Sequence, residues 1–245
     1  MHSPTATGRF AFAGGFTAAT AGYLLLRQLA GQPDAIRRHT VPWAVNLARG
    51  IGMQVRVHGA EQVDPAETAV FISNHQSNLD IVALYVALPV QPGFLAKREL
   101  RRIPIFGRAM EASGHVFVDR FNRNRAYEAI TRAAEQVRAG RPIVIFPEGT
   151  RSETETIKRF KKGGFHLAKQ ARVPVVPVGV RGTARLLPKN RRLIHPGTVD
   201  VHIGVPIAPE EIDACSVDEL IDRVRREISR LSALPLLEDV RSDRG

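Results

Sequence analysis

Beyond Met53, short apolar runs alternate with amphipathic stretches and turns, a pattern that predicts an α/β domain. Strands are expected at Gln54 to His58, Ala69 to Ser73, Gly93 to Ala96, His115 to Val118, Pro142 to Phe146, Val175 to Val180 and Val199 to Ile203. Several are β-branched runs without clean alternation, as suits strands covered on both faces. Helices are expected near Ile81 to Leu88, Arg123 to Ala139 and Gly163 to Ala171. Ser216 followed three residues later by Glu219 announces a last helix through a reciprocal cap. Its apolar positions Val217, Leu220, Ile221, Val224, Ile228 and Leu231 keep to one face, and after Pro235 the chain turns polar.

Before Met53 the pattern is different. From Phe10 to Leu26 there is no charged residue, and Arg9 and Arg27 flank the run. A helical run of about 17 residues spans roughly 26 Å, slightly short of a ~30 Å hydrocarbon core. Gly14, Gly15 and Gly22 further weaken its apolar drive. The stretch from Asp34 to Met53 mixes Arg37, Arg38 and Arg49 with Ile36, Val41, Trp43, Val45, Leu47 and Ile51, which suits a helix lying in a membrane interface. An interfacial or re-entrant helical pair is the preferred expectation, and a single transmembrane span comes second. A plain packing helix and a signal peptide are the rivals, the latter disfavoured by Arg27 where small neutral residues should precede cleavage. The expected division is 1–52 for these helices, 53–234 for the α/β domain and 235–245 for a polar tail.

Composition narrows the partner. Lys+Arg 35 against Asp+Glu 24 gives a formal charge of +11, which favours anionic lipid headgroups, phosphorylated substrates or nucleic acid. Aromatics make up only 6%, so the stacking platforms of single-stranded nucleic-acid binding are poorly supplied, and no nucleic-acid partner is expected. The single cysteine, Cys215, excludes an intrachain disulfide and stands far in sequence from every motif below.

Three stretches carry chemistry. In Ser73-Asn74-His75-Gln76-Ser77-Asn78-Leu79-Asp80 an apolar strand runs into a loop, placing His75 at the carboxyl end of a strand. Asp80 fits the start of the next helix as an N-cap, and a loop of this length lets its carboxylate reach the His75 ring. That contact is the base and orienter of the serine hydrolases without the nucleophile, so the proton must come from a substrate hydroxyl. In Phe146-Pro147-Glu148-Gly149-Thr150-Arg151-Ser152 a strand enters a sharp turn bearing Glu148 and Arg151. Arg151 has the fork geometry for a phosphate, and Glu148 could anchor that arginine or a substrate hydroxyl. In Gly114 to Arg120 another strand ends in Asp119-Arg120. Three such strand ends describe one cleft better than three coincidences. Read without the family, the residues leave open a hydrolase that activates water and a basic binding protein without catalysis. A metal hydrolase is poorly supported, because no second ligand stands at metal spacing beside His75.

The three stretches, in this order, resemble the glycerolipid acyltransferase family, most closely the bacterial 1-acylglycerol-3-phosphate acyltransferases. His75 to Asp80 is similar to that family's H-x4-D block, Gly114 to Arg120 to its second block, and Phe146 to Ser152 to its F-P-E-G-T-R-S block. Val173 to Val178 resembles the fourth, apolar-proline block, and Lys97-Arg98-Glu99-Leu100 with Pro104 and Gly107 the basic segment between the first two. The resemblance covers roughly Val55 to Ile207. It implies a central mixed sheet flanked by helices, and metal-free acyl transfer from acyl-CoA or acyl-carrier protein to lysophosphatidate, with no cofactor. It also implies His75 as base and Asp80 as its orienter, with Arg120 and Arg151 on the phosphate. Glu148, Gly149 and Thr150 fall to acceptor binding, with Lys97 beside them. His115 within the second block adds a titratable group expected near the site. Two basic clusters, Lys97, Arg98, Arg101, Arg102 and Arg108, then Lys158, Arg159, Lys161 and Lys162, join the apolar amino-terminus to imply attachment to the cytoplasmic leaflet of the cell membrane. Another lysolipid acceptor remains an alternative.

Overall fold

The structure is a computed structural model and describes residues 5–32, 34–119 and 121–237. Two helices come first, α1 (Ala6–Leu29) and α2 (Ala35–Ile51). Thr5 caps α1 by accepting the Gly8 amide, and α1 runs unbroken through its glycines. Pro42 lies inside α2, which ends at Gly52 in the left-handed conformation. Among the described residues no helix is long and apolar enough to cross a membrane, so the transmembrane-span expectation for this segment is set aside.

The remaining elements are β1 (Met53–His58), β2 (Val70–Ser73), α3 (Leu79–Ala87), β3 (Gly93–Lys97), α4 (Phe106–Ala112), β4 (Val116–Val118) and α5 (Arg123–Arg138). They continue with β5 (Ile143–Ile145), α6 (Gly163–Ala171), β6 (Val175–Arg181), α7 (Thr183–Leu186), β7 (Gly197–Ile203), α8 (Pro209–Ala214) and α9 (Val217–Ser232). The strands form one sheet in the order β1-β7-β6-β2-β5-β3-β4. β6 and β7 pair antiparallel and every other neighbour pair is parallel, so the sheet is mixed. The carboxyl ends of β6, β2, β5, β3 and β4 therefore open on one edge. β2 is a switch point, with β3 and β4 reached on one side and β6 on the other, where such sheets form a crevice.

Alternate residues of the central strands enter two cores. Phe71, Val144 and Val176 meet Leu47 and Ile51 of α2 and Val82 and Tyr85 of α3. Val70, Ile72, Ile143 and Ile145 meet Ala133 of α5, Phe165 of α6 and Val224 and Ile228 of α9. Helices cover both faces, which explains strands that read as continuous apolar runs. All seven expected strands are present with ends moved by one or two residues. The run from Pro142 to Phe146 contracts to β5 because Phe146 leaves the ladder to enter the turn described next.

Candidate active site

The loop from β2 to α3 is tied down along its whole length. Asn74 exchanges two bonds of 2.8 Å with Val180 of β6, its amide nitrogen donating to the Val180 carbonyl while its oxygen accepts the Val180 amide. Ser77 Oγ donates to the Leu187 carbonyl at 2.7 Å. The His75 amide donates to Glu148 Oε1 at 2.7 Å, and the His75 carbonyl accepts the Ser152 amide at 2.8 Å. The loop that carries His75 is thus held from the β6 side and from the turn after β5.

His75 Nδ1 lies 2.8 Å from Asp80 Oδ2. A carboxylate in that position accepts the Nδ1 proton and leaves Nε2 as the unprotonated, basic nitrogen. Asp80 is fully buried, whereas 15% of the His75 side chain remains exposed. Phe146 backs the imidazole face to face, with centroids 4.0 Å apart and planes 11° apart. The expected helix cap is corrected here. Asn78 flanks α3 without a side-chain cap, and Asp80 lies one residue inside the helix. Its Oδ2 gathers the Gln76 and Ser77 amides at 2.7 and 2.9 Å as well as the imidazole, while Oδ1 accepts the Thr183 hydroxyl. A carboxylate engaged in this way stabilises the loop before the helix rather than the helix end.

Glu148 is 4% exposed and makes no ion pair with Arg151. Its two oxygens accept the amides of His75 and of Lys158, the latter at 3.2 Å. Burial raises its pKa from 4.5 to about 7, an effect the two amides oppose. Gly149 turns the chain at φ +73, and a side chain there would come within 3.0 Å of Lys161 Nζ. Thr150 is exposed and Arg151 half-buried, with the Arg151 carbonyl accepting Lys158 Nζ at 3.0 Å. Lys97 ends β3 on the same edge of the sheet, exposed and 3.7 Å from Glu99. Arg120 lies outside the described residues. Its neighbour Asp119 follows β4 and pairs with Arg98 at 2.6 Å, which holds its carboxyl below the usual range.

The edge of the sheet therefore brings His75, Asp80, Glu148, Gly149, Thr150, Arg151 and Lys97 together. His115 is the exception. It precedes β4 at the opposite end of the strand, stacked on Phe94 at 5.5 Å with its Nδ1 buried and unpartnered. Burial pushes its pKa down to about 4, so it is a neutral packing ring and adds no charge to the site. Several contributors were not singled out from the sequence for this role. Lys158 and Lys161 are two of them, the first bonded to the Arg151 carbonyl and the second lying against Gly149. Thr183 follows Gly182 at the end of an apolar run, a turn signal that points to a strand end but to no partner.

The Acyltransferase family model matches residues 54–181, from β1 to the end of β6. The 1-acyl-sn-glycerol-3-phosphate acyltransferase of Saccharomyces cerevisiae is 36% identical over 181 residues, which are 73% of this chain and 59% of that relative. The Homo sapiens protein named 1-acyl-sn-glycerol-3-phosphate acyltransferase alpha is 34% identical over 178 residues, covering 72% and 63%. The chain thus spans less than two thirds of the length of either relative. The crystal structure of the 1-acyl-sn-glycerophosphate (LPA) acyltransferase PlsC from Thermotoga maritima is similar throughout, with TM-score 0.75 and 27% identity over 93% of this chain and 95% of that one. The matched stretch contains the imidazole, its carboxylate and the strands that present them, and it fills more than half of the sequence: this chain belongs to the acyltransferase family.

Proposed function

We propose that this chain moves a fatty acyl group from a thioester to the free hydroxyl of 1-acylglycerol 3-phosphate, giving phosphatidate. The observation that carries the reading is His75 held by buried Asp80 at 2.8 Å, with one ring nitrogen left basic at the edge of the sheet. The acceptor oxygen attacks the thioester carbonyl while His75 Nε2 takes its proton. The tetrahedral adduct then collapses, the carbon–sulfur bond breaks, and the departing thiolate receives the proton from the imidazolium. A thiolate leaves readily, so one imidazole serves both steps. General-base catalysis accounts for about 10²–10⁴-fold, and fixing two substrates in one cleft supplies more.

Acyl-CoA and acyl-carrier protein are both suitable donors, and neither route needs a cofactor. The acceptor assignment draws on the relatives' names and on Arg151, Lys161 and Lys97 gathered around the edge that bears His75. Arg120 is proposed as a further phosphate contact from its place in the second family block alone. Within this reading Glu148 acts on the acceptor through the backbone it holds.

The substrate's lipid nature supports attachment to the cytoplasmic leaflet. Phe12, Tyr23, Leu26 and Leu29 are exposed along α1, inside or beside the uncharged run between Arg9 and Arg27. Trp43 of α2 donates to Thr17 of α1 at 3.3 Å and joins the two helices. Before α4, Ile103 and Ile105 are exposed among Arg101, Arg102 and Arg108. Ile105 adopts φ 64 and ψ −57, a strained conformation for a β-branched residue.

The test is product analysis of purified protein with an acyl thioester and lysophosphatidate. Phosphatidate is expected, and His75→Ala should lose about 10²–10⁴-fold of the rate with an unchanged circular dichroism spectrum. Free fatty acid as the sole product would mean hydrolysis. Equal use of a lysolipid without a terminal phosphate would remove the acceptor assignment.

A further inference from the structure

Asp80 Oδ1 faces away from the imidazole, and its partner comes from more than a hundred residues further along the chain. Thr183 is fully buried and donates its hydroxyl to that oxygen. It lies two residues beyond the stretch matched to the family, as the first residue of α7. Its position depends on the turn out of β6. Gly182 has φ +99, and a side chain there would come within 2.7 Å of the Thr198 carbonyl oxygen. Only glycine lets the chain leave β6 so abruptly and drop the next side chain behind Asp80. The preceding strand is itself fastened to the catalytic loop through Asn74 and Val180. The Gly182-Thr183 pair is therefore registered against the His75 loop by independent bonds.

We infer that Thr183 is a positioning residue for acyl transfer, acting through Asp80 on the orientation and basicity of His75. This rests on the reading of His75 as the base. Among the described residues four donors converge on the Asp80 carboxylate, and three of them share Oδ2. The Thr183 hydroxyl alone serves Oδ1, so it fixes the rotation of the carboxylate and lowers the charge left for the imidazole. Without it the carboxylate is short of one donor, turns more freely and holds the imidazolium proton more tightly. The ring then spends less time aimed at the acceptor, and its proton is harder to release. Among the described residues, His75 pairs with Asp80, Glu148 feels its charge, and Lys158 lies against Glu148 in turn. Glu148 has a pKa of about 7, so the measurement must be a difference between variants that all retain it.

The experiment compares Thr183→Val, Thr183→Ser and Thr183→Ala in the full chain, with His75→Ala as reference. Thr183→Val keeps the shape and removes the hydroxyl. It should lower kcat by about tenfold to a hundredfold with little change in either KM, and move the acid limb of the kcat/KM profile to higher pH. Thr183→Ser keeps the donor and should stay within about threefold of wild type, as a retained hydrogen bond predicts. Wild-type kcat and pH profile in Thr183→Val would overturn the inference. If the valine variant does not fold, the serine and alanine variants isolate the hydroxyl, and equal activity in those two would overturn it. Robust turnover in His75→Ala would instead bring down the underlying reading, which is a separable result.

Discussion

Arg151 carries its charge on a turn whose backbone is anchored by a lysine, with Lys158 Nζ on its carbonyl at 3.0 Å. Among the described residues its guanidinium has no carboxylate partner within ion-pair distance, and Glu148, three residues before it, turns inward. An arginine placed like this serves a ligand better than it serves the fold. Arg151→Ala should raise the acceptor KM about tenfold to a hundredfold and leave the donor KM nearly unchanged, consistent with loss of a charged hydrogen-bonded contact. Steady-state kinetics with each substrate varied in turn checks this, and equal effects on both constants would put the phosphate elsewhere. At this scale the sequence was legible where partners are close in the chain. His75 and Asp80 are five residues apart, and their contact follows from a strand, a loop and a helix start. The opposite charges of Glu148 and Arg151 were just as visible, but not that Glu148 satisfies two amides, because backbone donors leave no mark on a sequence. His115 stood inside a recognisable block, yet its strand presents it at the far end of the sheet.

Between elements, Glu148 is the bolt that joins the β2 loop, the turn after β5 and the segment leading to α6. Burial raises its pKa from 4.5 to about 7, so the folded chain holds a proton there that the unfolded chain gives up. The stability drawn from this group is fully present below 4.5 and is lost as pH rises through about 7. Glu148→Gln lacks that titration. The difference in Tm, wild type minus variant, should therefore fall as pH rises from 4.5 to about 7 and level off above, as thermal melts across that range will read. A flat or rising difference would mean that the His75 and Lys158 amides outweigh burial. The central strands are legible because each is a short apolar run buried on both faces, and β7 because its apolar positions alternate with polar ones. α4 and α7 were not, since Phe106–Ala112 mixes one arginine, one glutamate and small residues without a clear period, and α7 has only four residues. α7 nonetheless delivers Thr183 to Asp80, a long-range contact that local pattern cannot announce.

For the whole molecule, basic charge and exposed apolar side chains occur together. The formal charge of +11 is joined by Leu26 and Leu29 on α1 and by Ile103 and Ile105 among arginines. The proposed leaflet contact should appear as co-sedimentation with vesicles containing anionic lipid, weakening as salt screens the surface. Ile103→Asp with Ile105→Asp should reduce that binding about tenfold while leaving turnover of detergent-dispersed substrate intact, as loss of inserted apolar area predicts. Binding that ignores lipid charge, salt and this substitution would remove the contact.

The clamp between Asn74 and Val180 also bears on how the proposed site comes into being. A nascent chain carries its histidine and aspartate early, but their supports arrive only when residues 180 and 183 have been synthesised and β6 has inserted beside β2. Such pairings are slow, because a long loop must close before it is rewarded. On the proposed reading, competence for chemistry therefore waits for residue 183, and until then the imidazole and its carboxylate lack their full support.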